Sequence, residues 1–156
     1  DLQWHDIQEL IGYVISRQQR SLKGREVSVH VPESMPLIRI DFKIFEQVIE
    51  NLILNSCQYS PSMAPVMVTA RLMPESLAIE IADRGPGIPV QYRDKIFDKF
   101  FRLPNTPPGG IGLGLSVAKR IVELHRGSIQ VTDNEGGGCK FIITLPLEQQ
   151  PKMPEG

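Results

Sequence analysis

The sequence predicts an α/β fold: a two-layer α/β sandwich whose mixed sheet is covered on one face by three helices. Three observations predict it. Long stretches carry apolar residues at helical spacing, and short runs between them alternate apolar with polar or are continuously apolar. The order along the chain is helix, two strands, helix, two strands, loop, helix, two strands. Such an order packs helices against one sheet. No repeat and no second apolar core is visible, so one domain is expected over residues 1–147, with a polar, Pro-rich tail at 148–156 that should be disordered.

Each element has a local reason. Residues 6–20 carry Ile7, Leu10, Ile11, Val14 and Ile15, an apolar stripe at i, i+3, i+4, i+7 and i+8. Asp6 and Glu9 are spaced as a reciprocal N-cap pair, which places His5 just ahead of the first helix. "EVSVHV" (26–31) alternates as a strand and Pro32 ends it, while "LIRI" (37–40) reads as a second strand. Asp41 is positioned to cap a helix over 42–59, rich in Phe45, Val48, Ile49, Leu52 and Ile53. Strands at 66–73 and 76–83 flank a turn at Pro74-Glu75. A Gly/Pro-rich loop follows at 84–89, then a short helix and turn over 91–101 and a flexible connection at 102–110. The third long helix spans about 112–126 and is closed by Gly127 as its C′ residue. "SIQVTD" and "CKFIITLP" are the last strands, joined by the turn "NEGGG".

Bulk properties exclude several classes. Hydrophobic residues make up 41% of the 156, enough for a core, and 17 basic against 18 acidic residues argue against a general nucleic-acid surface. No apolar run of about 18 residues is present, so no membrane span or direct membrane contact is expected from this segment. Cys57 and Cys139 form no CxxC pair and read as buried reduced thiols, not as zinc ligands. The start lacks an initiator Met, so the chain is expected to be a piece of a longer protein.

Three stretches carry chemistry. In "EQVIENLILNSCQYSP" (46–61), Asn51 and Asn55 stand i, i+4 on one helix face, with Gln58 on the same polar stripe and Tyr59 at its edge. Asparagine is a poor mid-helix residue, so two on one stripe suit either a hard cation held by amide oxygens or a merely solvated face. In "DRGPGIP" (83–89), Asp83 ends an apolar strand, and Gly85 and Gly87 permit positive φ and close backbone approach. A carboxylate there can accept from an adenine amino group, or the stretch is an ordinary turn. In "PPGGIGLGLSVAKRIVELH" (107–125), four glycines open an apolar-striped helix. Converging backbone N–H groups at a helix start favour phosphate, the alternative being a flexible linker. The spacing is neither a dinucleotide-binding fingerprint nor a P-loop.

Taken in order, with "IFDKFFR" (96–102) between the last two, these motifs resemble the catalytic and ATP-binding domain of sensor histidine kinases, within the gyrase, Hsp90, histidine kinase and MutL family. "ENLILNSCQYSP" looks like the N box, "DRGPGIP" the first glycine box, "IFDKFFR" the F box and "GGIGLGL" the second glycine box. "MPLIRIDFKIFEQVIENL" and "GGGCKFIITLP" look most like the KdpD-type kinases of potassium-responsive two-component systems.

The resemblance implies a Bergerat ATP-binding fold and MgATP as ligand. It implies Asn55 as the main Mg²⁺ ligand and Asn51 near the metal or the phosphates. It implies Asp83 on the adenine amino group, Gly85, Gly87 and Ile88 around the base, and Tyr59 against the nucleotide. Gly110, Ile111, Gly112, Leu113, Gly114 and Leu115 would face the phosphates and hinge a lid, with Lys99 or Arg102 supplying positive charge. Gln58 stands where such kinases often carry Lys, and Arg126 where they commonly carry Gly. Asn51 replaces the Glu that activates water in hydrolytic relatives, and an amide cannot serve as that base. The implied activity is therefore γ-phosphoryl donation to a histidine on a separate dimerisation domain. The implied partners are that domain and a response regulator, in a homodimer anchored at the inner membrane with this domain in the cytoplasm. His5 lacks the Arg and Pro that usually follow an acceptor histidine and lies too near the first strand for a two-helix hairpin, so the acceptor is expected upstream. A related serine kinase or ATPase switch, or a non-enzymatic interaction module with a decayed pocket, remain the alternative readings of these residues.

Overall fold

The computed structural model of the chain describes residues 1–22, 24–59, 63–104 and 114–151. In chain order it contains β1 (Gln3–His5), α1 (Ile7–Arg17), α2 (Gln19–Leu22), β2 (Val27–His30), β3 (Ile38–Ile40), α3 (Phe42–Tyr59), β4 (Val66–Leu72) and β5 (Ser76–Ala82). Two short 3₁₀ turns, Val90–Tyr92 and Lys95–Phe97, lead to α4 (Gly114–Leu124), β6 (Ser128–Asp133) and β7 (Cys139–Pro146).

Five strands form the main sheet in the order β2-β4-β5-β7-β6. The β2–β4 pair is parallel and the others are antiparallel, so the sheet is mixed as expected. Strand β4 shows how a face is chosen. Val66, Val68 and Ala70 are buried, while Met67 and Arg71 are exposed and Thr69 is half-buried. The period-2 pattern turns one side to the helices and leaves the other open. On that open side Glu80 is buried between Lys140 at 3.3 Å and Arg71 at 3.8 Å.

The helical layer forms from the expected stripes. Asp6 caps α1 by accepting from the Gln8 backbone N–H at 2.9 Å, and Ile7, Leu10, Ile11 and Val14 are buried. Asp41 caps α3 through the Ile44 N–H at 3.2 Å, and Phe45, Val48, Ile49, Leu52 and Ile53 are fully buried. Each such side chain contributes about 1.5–3 kcal/mol of transfer free energy. These residues share one apolar core with Ile79, Ile81, Phe141 and Ile143 of the sheet.

Several expectations need correction. The helix foreseen over 6–20 breaks at Gln18, which leaves helical geometry (φ −103°, ψ 13°), and a separate short α2 follows. The strand at 37–40 does not join the main sheet. It pairs antiparallel with β1, a strand too short to show periodicity, in the register Gln3 with Ile40 and His5 with Ile38. His5 is thus a strand residue whose ring lies 4.9 Å from that of Phe42. Gly127 is not the left-handed C′ residue of α4. Arg126 is, at φ +62°, with the N–H groups of Arg126 and Gly127 closing onto the carbonyls of Glu123 (3.0 Å) and Val122 (2.9 Å). That is the Schellman pattern shifted by one residue. Gly127 is required for room instead, because a Cβ there would sit 2.5 Å from the Thr144 carbonyl oxygen. The tail is also less free than expected. The Gln150 carboxamide donates to the Leu37 carbonyl at 3.0 Å and accepts from the Leu37 N–H at 2.8 Å, tying residues 148–151 to β3's approach. Residues 152–156 lie outside the described residues.

Candidate functional site

Asp83 follows directly from β5 and extends its ladder, its N–H donating to the Cys139 carbonyl at 2.9 Å. The residue is only 3% exposed. A buried carboxylate needs donors, and three converge on it. Oδ1 accepts from the Gly85 N–H at 2.8 Å and the Cys139 N–H at 3.2 Å, and Oδ2 accepts from the Cys139 thiol at 3.2 Å. A carboxylate has about four acceptor positions, so one on Oδ2 remains for a ligand donor. Burial pushes the Cys139 thiol well above its ordinary pKa, and the charge and hydrogen bond of Asp83 push it further. The thiol therefore stays protonated and remains a donor at neutral pH. Sequence reasoning saw Cys139 only as a core thiol. Its contact with Asp83 spans 56 positions and arises from the β5–β7 register, in which Ala82 opposes Lys140.

In the loop after Asp83 one of the two glycines expected to permit positive φ, Gly87, adopts it, and Gly85 does not. Gly87 has φ +80°, a conformation that disfavours any side chain, and Ile88 is buried at 8% exposure. Gly85 is half-buried and contributes its N–H to Asp83.

On α3, Asn51 and Asn55 are both half-buried. The Asn51 carboxamide nitrogen donates to the Gly114 carbonyl oxygen at 3.1 Å, which fastens the asparagine face of α3 to the first residue of α4. A Cβ on Gly114 would meet Asn51 Cγ at 3.7 Å, an ordinary van der Waals contact, so the two residues pack closely without this approach itself requiring glycine. The Asn55 carboxamide makes no hydrogen bond among the described residues. Its oxygen is a hard donor of the kind Mg²⁺ takes, and the ion commonly uses few protein ligands beside phosphates and water. The donor set thus fits that ion. Gln58 is exposed and lines, with Leu54, Cys57, Ser21 and Leu22, a cavity of about 450 Å³ against α2. Tyr59 ends α3, and its side chain lies outside the described residues, as do Gly110, Ile111, Gly112 and Leu113. Leu115 is partly buried and packs against the core.

The aromatic segment does not form one helix face. Phe97 is buried edge-on to Phe141 (6.3 Å, 82°) with the Lys119 ammonium 5.6 Å from its ring centre. Phe101 packs 5.8 Å from Tyr92. Phe100 takes φ +65° and is 67% exposed. Two 3₁₀ turns stand where a short helix was expected over 91–101, so the three rings do not share one helix face. Lys99 and Arg102 lie exposed on the same stretch.

Comparison with known proteins bears on the family and the fold. A family profile described as "Histidine kinase-, DNA gyrase B-, and HSP90-like ATPase" matches residues 40–149. The sensor protein KdpD of Escherichia coli (strain K12) is 32% identical over 154 residues, covering 98% of this chain and 17% of that protein. The sensor protein kinase WalK of Staphylococcus epidermidis (strain ATCC 35984) is 35% identical over 148 residues, covering 92% of this chain and 24% of that protein. The chain therefore spans less than a quarter of the length of these curated relatives. Among solved structures, the mycobacterial sensor histidine kinase MprB superposes with a TM-score of 0.80 at 29% identity, covering 94% of this chain and 97% of that one.

Proposed function

Because this chain belongs to the histidine kinase-, DNA gyrase B- and HSP90-like ATPase family, we propose that it binds MgATP and donates the γ-phosphoryl group to a histidine on a separate dimerisation domain. In this reading it is the catalytic part of a cytoplasm-facing two-component sensor kinase, which works as a homodimer at the inner membrane and passes its phosphoryl group to a response regulator. The acceptor histidine is not His5.

Asp83 reads the base. Its remaining acceptor position faces an exocyclic amino group, which selects adenine over a 6-keto purine. Gly85, Gly87 and Ile88 shape the walls, and Tyr59 lies against the nucleotide. Asn55 holds Mg²⁺, which when bound neutralises phosphate charge. Gly110, Ile111, Gly112, Leu113, Gly114 and Leu115 follow the phosphates, where glycine lets backbone N–H groups approach. Lys99 or Arg102 adds positive charge.

The observation that carries the reading is the Asn51–Gly114 bond. It joins the asparagine face to the glycine-led helix start, and it occupies that position with an amide incapable of deprotonating water. Phosphoryl transfer rests mainly on positioning and charge stabilisation, so a site without a water-activating base suits donation to an imidazole over hydrolysis. The test is transfer of radiolabel from γ-labelled ATP to a dimerisation domain of a sensor kinase of the KdpD type, added in trans. Label on the acceptor histidine, with slow release of free phosphate, is the expected result. A folded sample that binds no nucleotide in isothermal titration would refute the reading.

A further inference from the structure

The turn between β6 and β7 belongs to none of the motifs that carry the proposed function, yet it grips the loop that carries Asp83 at several points. The Asn134 carboxamide nitrogen donates to the Asp83 carbonyl oxygen at 2.8 Å. Arg84 returns the contact, its guanidinium donating to the carbonyls of Glu135 and Gly137. At the far end of the loop, Arg93 bridges the two segments. Its Nε donates to the Ile88 carbonyl at 3.1 Å, and its Nη2 pairs with the Asp133 carboxylate at 2.6 Å. The fit leaves no slack: a Cβ on Gly138, which has φ +96°, would lie 2.1 Å from the Asp83 carbonyl oxygen. Gly87 packs against the same turn: a Cβ there would meet the Gly138 carbonyl oxygen at an ordinary contact distance of 3.5 Å, so its φ of +80° and not the space is what favours glycine.

We infer that the β6–β7 hairpin sets the position of Asp83, with Asn134 and Arg93 as positioning residues for adenine recognition. The inference rests on the proposed reading of Asp83 as the base-reading group. The physical reason is directional. A carboxylate discriminates an amino group only when its free acceptor position is held within hydrogen-bond range and angle of it. Backbone bonds fix the N–H side of Asp83, through the Cys139 carbonyl. Its own carbonyl side is fixed by Asn134 alone among the hydrogen bonds of the described residues. Without that bond the Asp83–Gly85 peptide planes can rotate, and the Gly85 N–H that donates to Oδ1 moves with them, which loosens one of the three holds on the carboxylate. Arg93 holds the opposite end of the loop and limits the same motion.

The experiment compares ATP with purine riboside triphosphate, which lacks the amino group, by isothermal titration on the 156-residue chain. Melting temperature is recorded for every variant. The wild-type chain is expected to prefer ATP. In Asn134→Ala, ATP affinity should fall about two- to tenfold while that for the analogue stays level, so the preference collapses. Arg93→Gln keeps the Asn134 bond and should show the same pattern more weakly, which covers the case of an Asn134→Ala chain that fails to fold. Equal losses for both nucleotides, or a lowered melting temperature with the preference intact, would overturn the inference and leave the hairpin a structural brace. A wild-type chain that binds ATP no better than the analogue would instead overturn the reading of Asp83 itself.

Discussion

Replacing Asp83 by asparagine separates what the carboxylate does for the fold from what it does for a ligand. In Asp83→Asn the amide oxygen can keep the position of Oδ1 and both backbone donors, Gly85 N–H and Cys139 N–H. The new NH₂ then replaces Oδ2 beside the Cys139 sulfur. A thiol can turn its proton aside and accept weakly, so no donor is left stranded. The fold loses charge assistance in two hydrogen bonds, a cost of about 1–2 kcal/mol. For a chain of this size that lowers the melting temperature by about 2–4 °C per kcal/mol. Asp83→Ala differs: it orphans the buried Cys139 N–H, at about 1–3 kcal/mol, and leaves the part-buried Gly85 N–H without this partner.

The ligand sees the opposite ranking of chemistry. In Asp83→Asn a donor faces the adenine amino group, itself a donor, and ATP affinity should fall about 30- to 200-fold. Inosine triphosphate presents a carbonyl at the same place, so its affinity should hold or rise. Differential scanning fluorimetry reads the first effect and isothermal titration with both nucleotides reads the second. An Asp83→Asn chain that melts normally and still prefers ATP to inosine triphosphate would refute Asp83 as the base-reading group.

Three further outcomes are expected. Arg126→Gly should stabilise the chain by about 1 kcal/mol in urea denaturation, because the exposed arginine occupies a left-handed conformation that glycine adopts without strain. If Asn55 holds the metal, EDTA should weaken ATP binding by the wild-type chain but make little further difference to Asn55→Ala; an undiminished EDTA effect in the variant would assign the metal elsewhere. The Cys139 thiol has its pKa raised in the folded state above the ordinary value of 9.0, chiefly by burial. The unfolded chain therefore loses that proton first, and the stability linked to it, fully present below pH 9.0, is lost as pH rises beyond that value. Denaturation at pH 8 and pH 10 should show a steeper decline for wild type than for Cys139→Ser.

Much of this protein was determined by its sequence alone. The three long helices, most of the strands and the faces they bury follow from apolar periods of 3.6 and 2, which are local properties of neighbouring residues. Asn51 and Asn55 share a face, and Asp83 ends a strand, for the same local reason. The caps at Asp6 and Asp41 were legible because a cap acts within three residues. Tertiary structure decided the rest. β1 is too short to show a period and exists because β3 pairs with it. The three rings at Phe97, Phe100 and Phe101 diverge because Phe97 anchors on Phe141 of the sheet, while Phe101 turns to Tyr92. The left-handed residue after α4 is Arg126, since Gly127 must fit against Thr144 with no side chain at all. Two of the three donors around the Asp83 carboxylate come from Cys139, 56 positions away, and its carbonyl is held by Asn134, 51 positions away. Hydrogen bonds depend on direction and on separations of tenths of an ångström, and only the packed sheet brings such distant residues into that range.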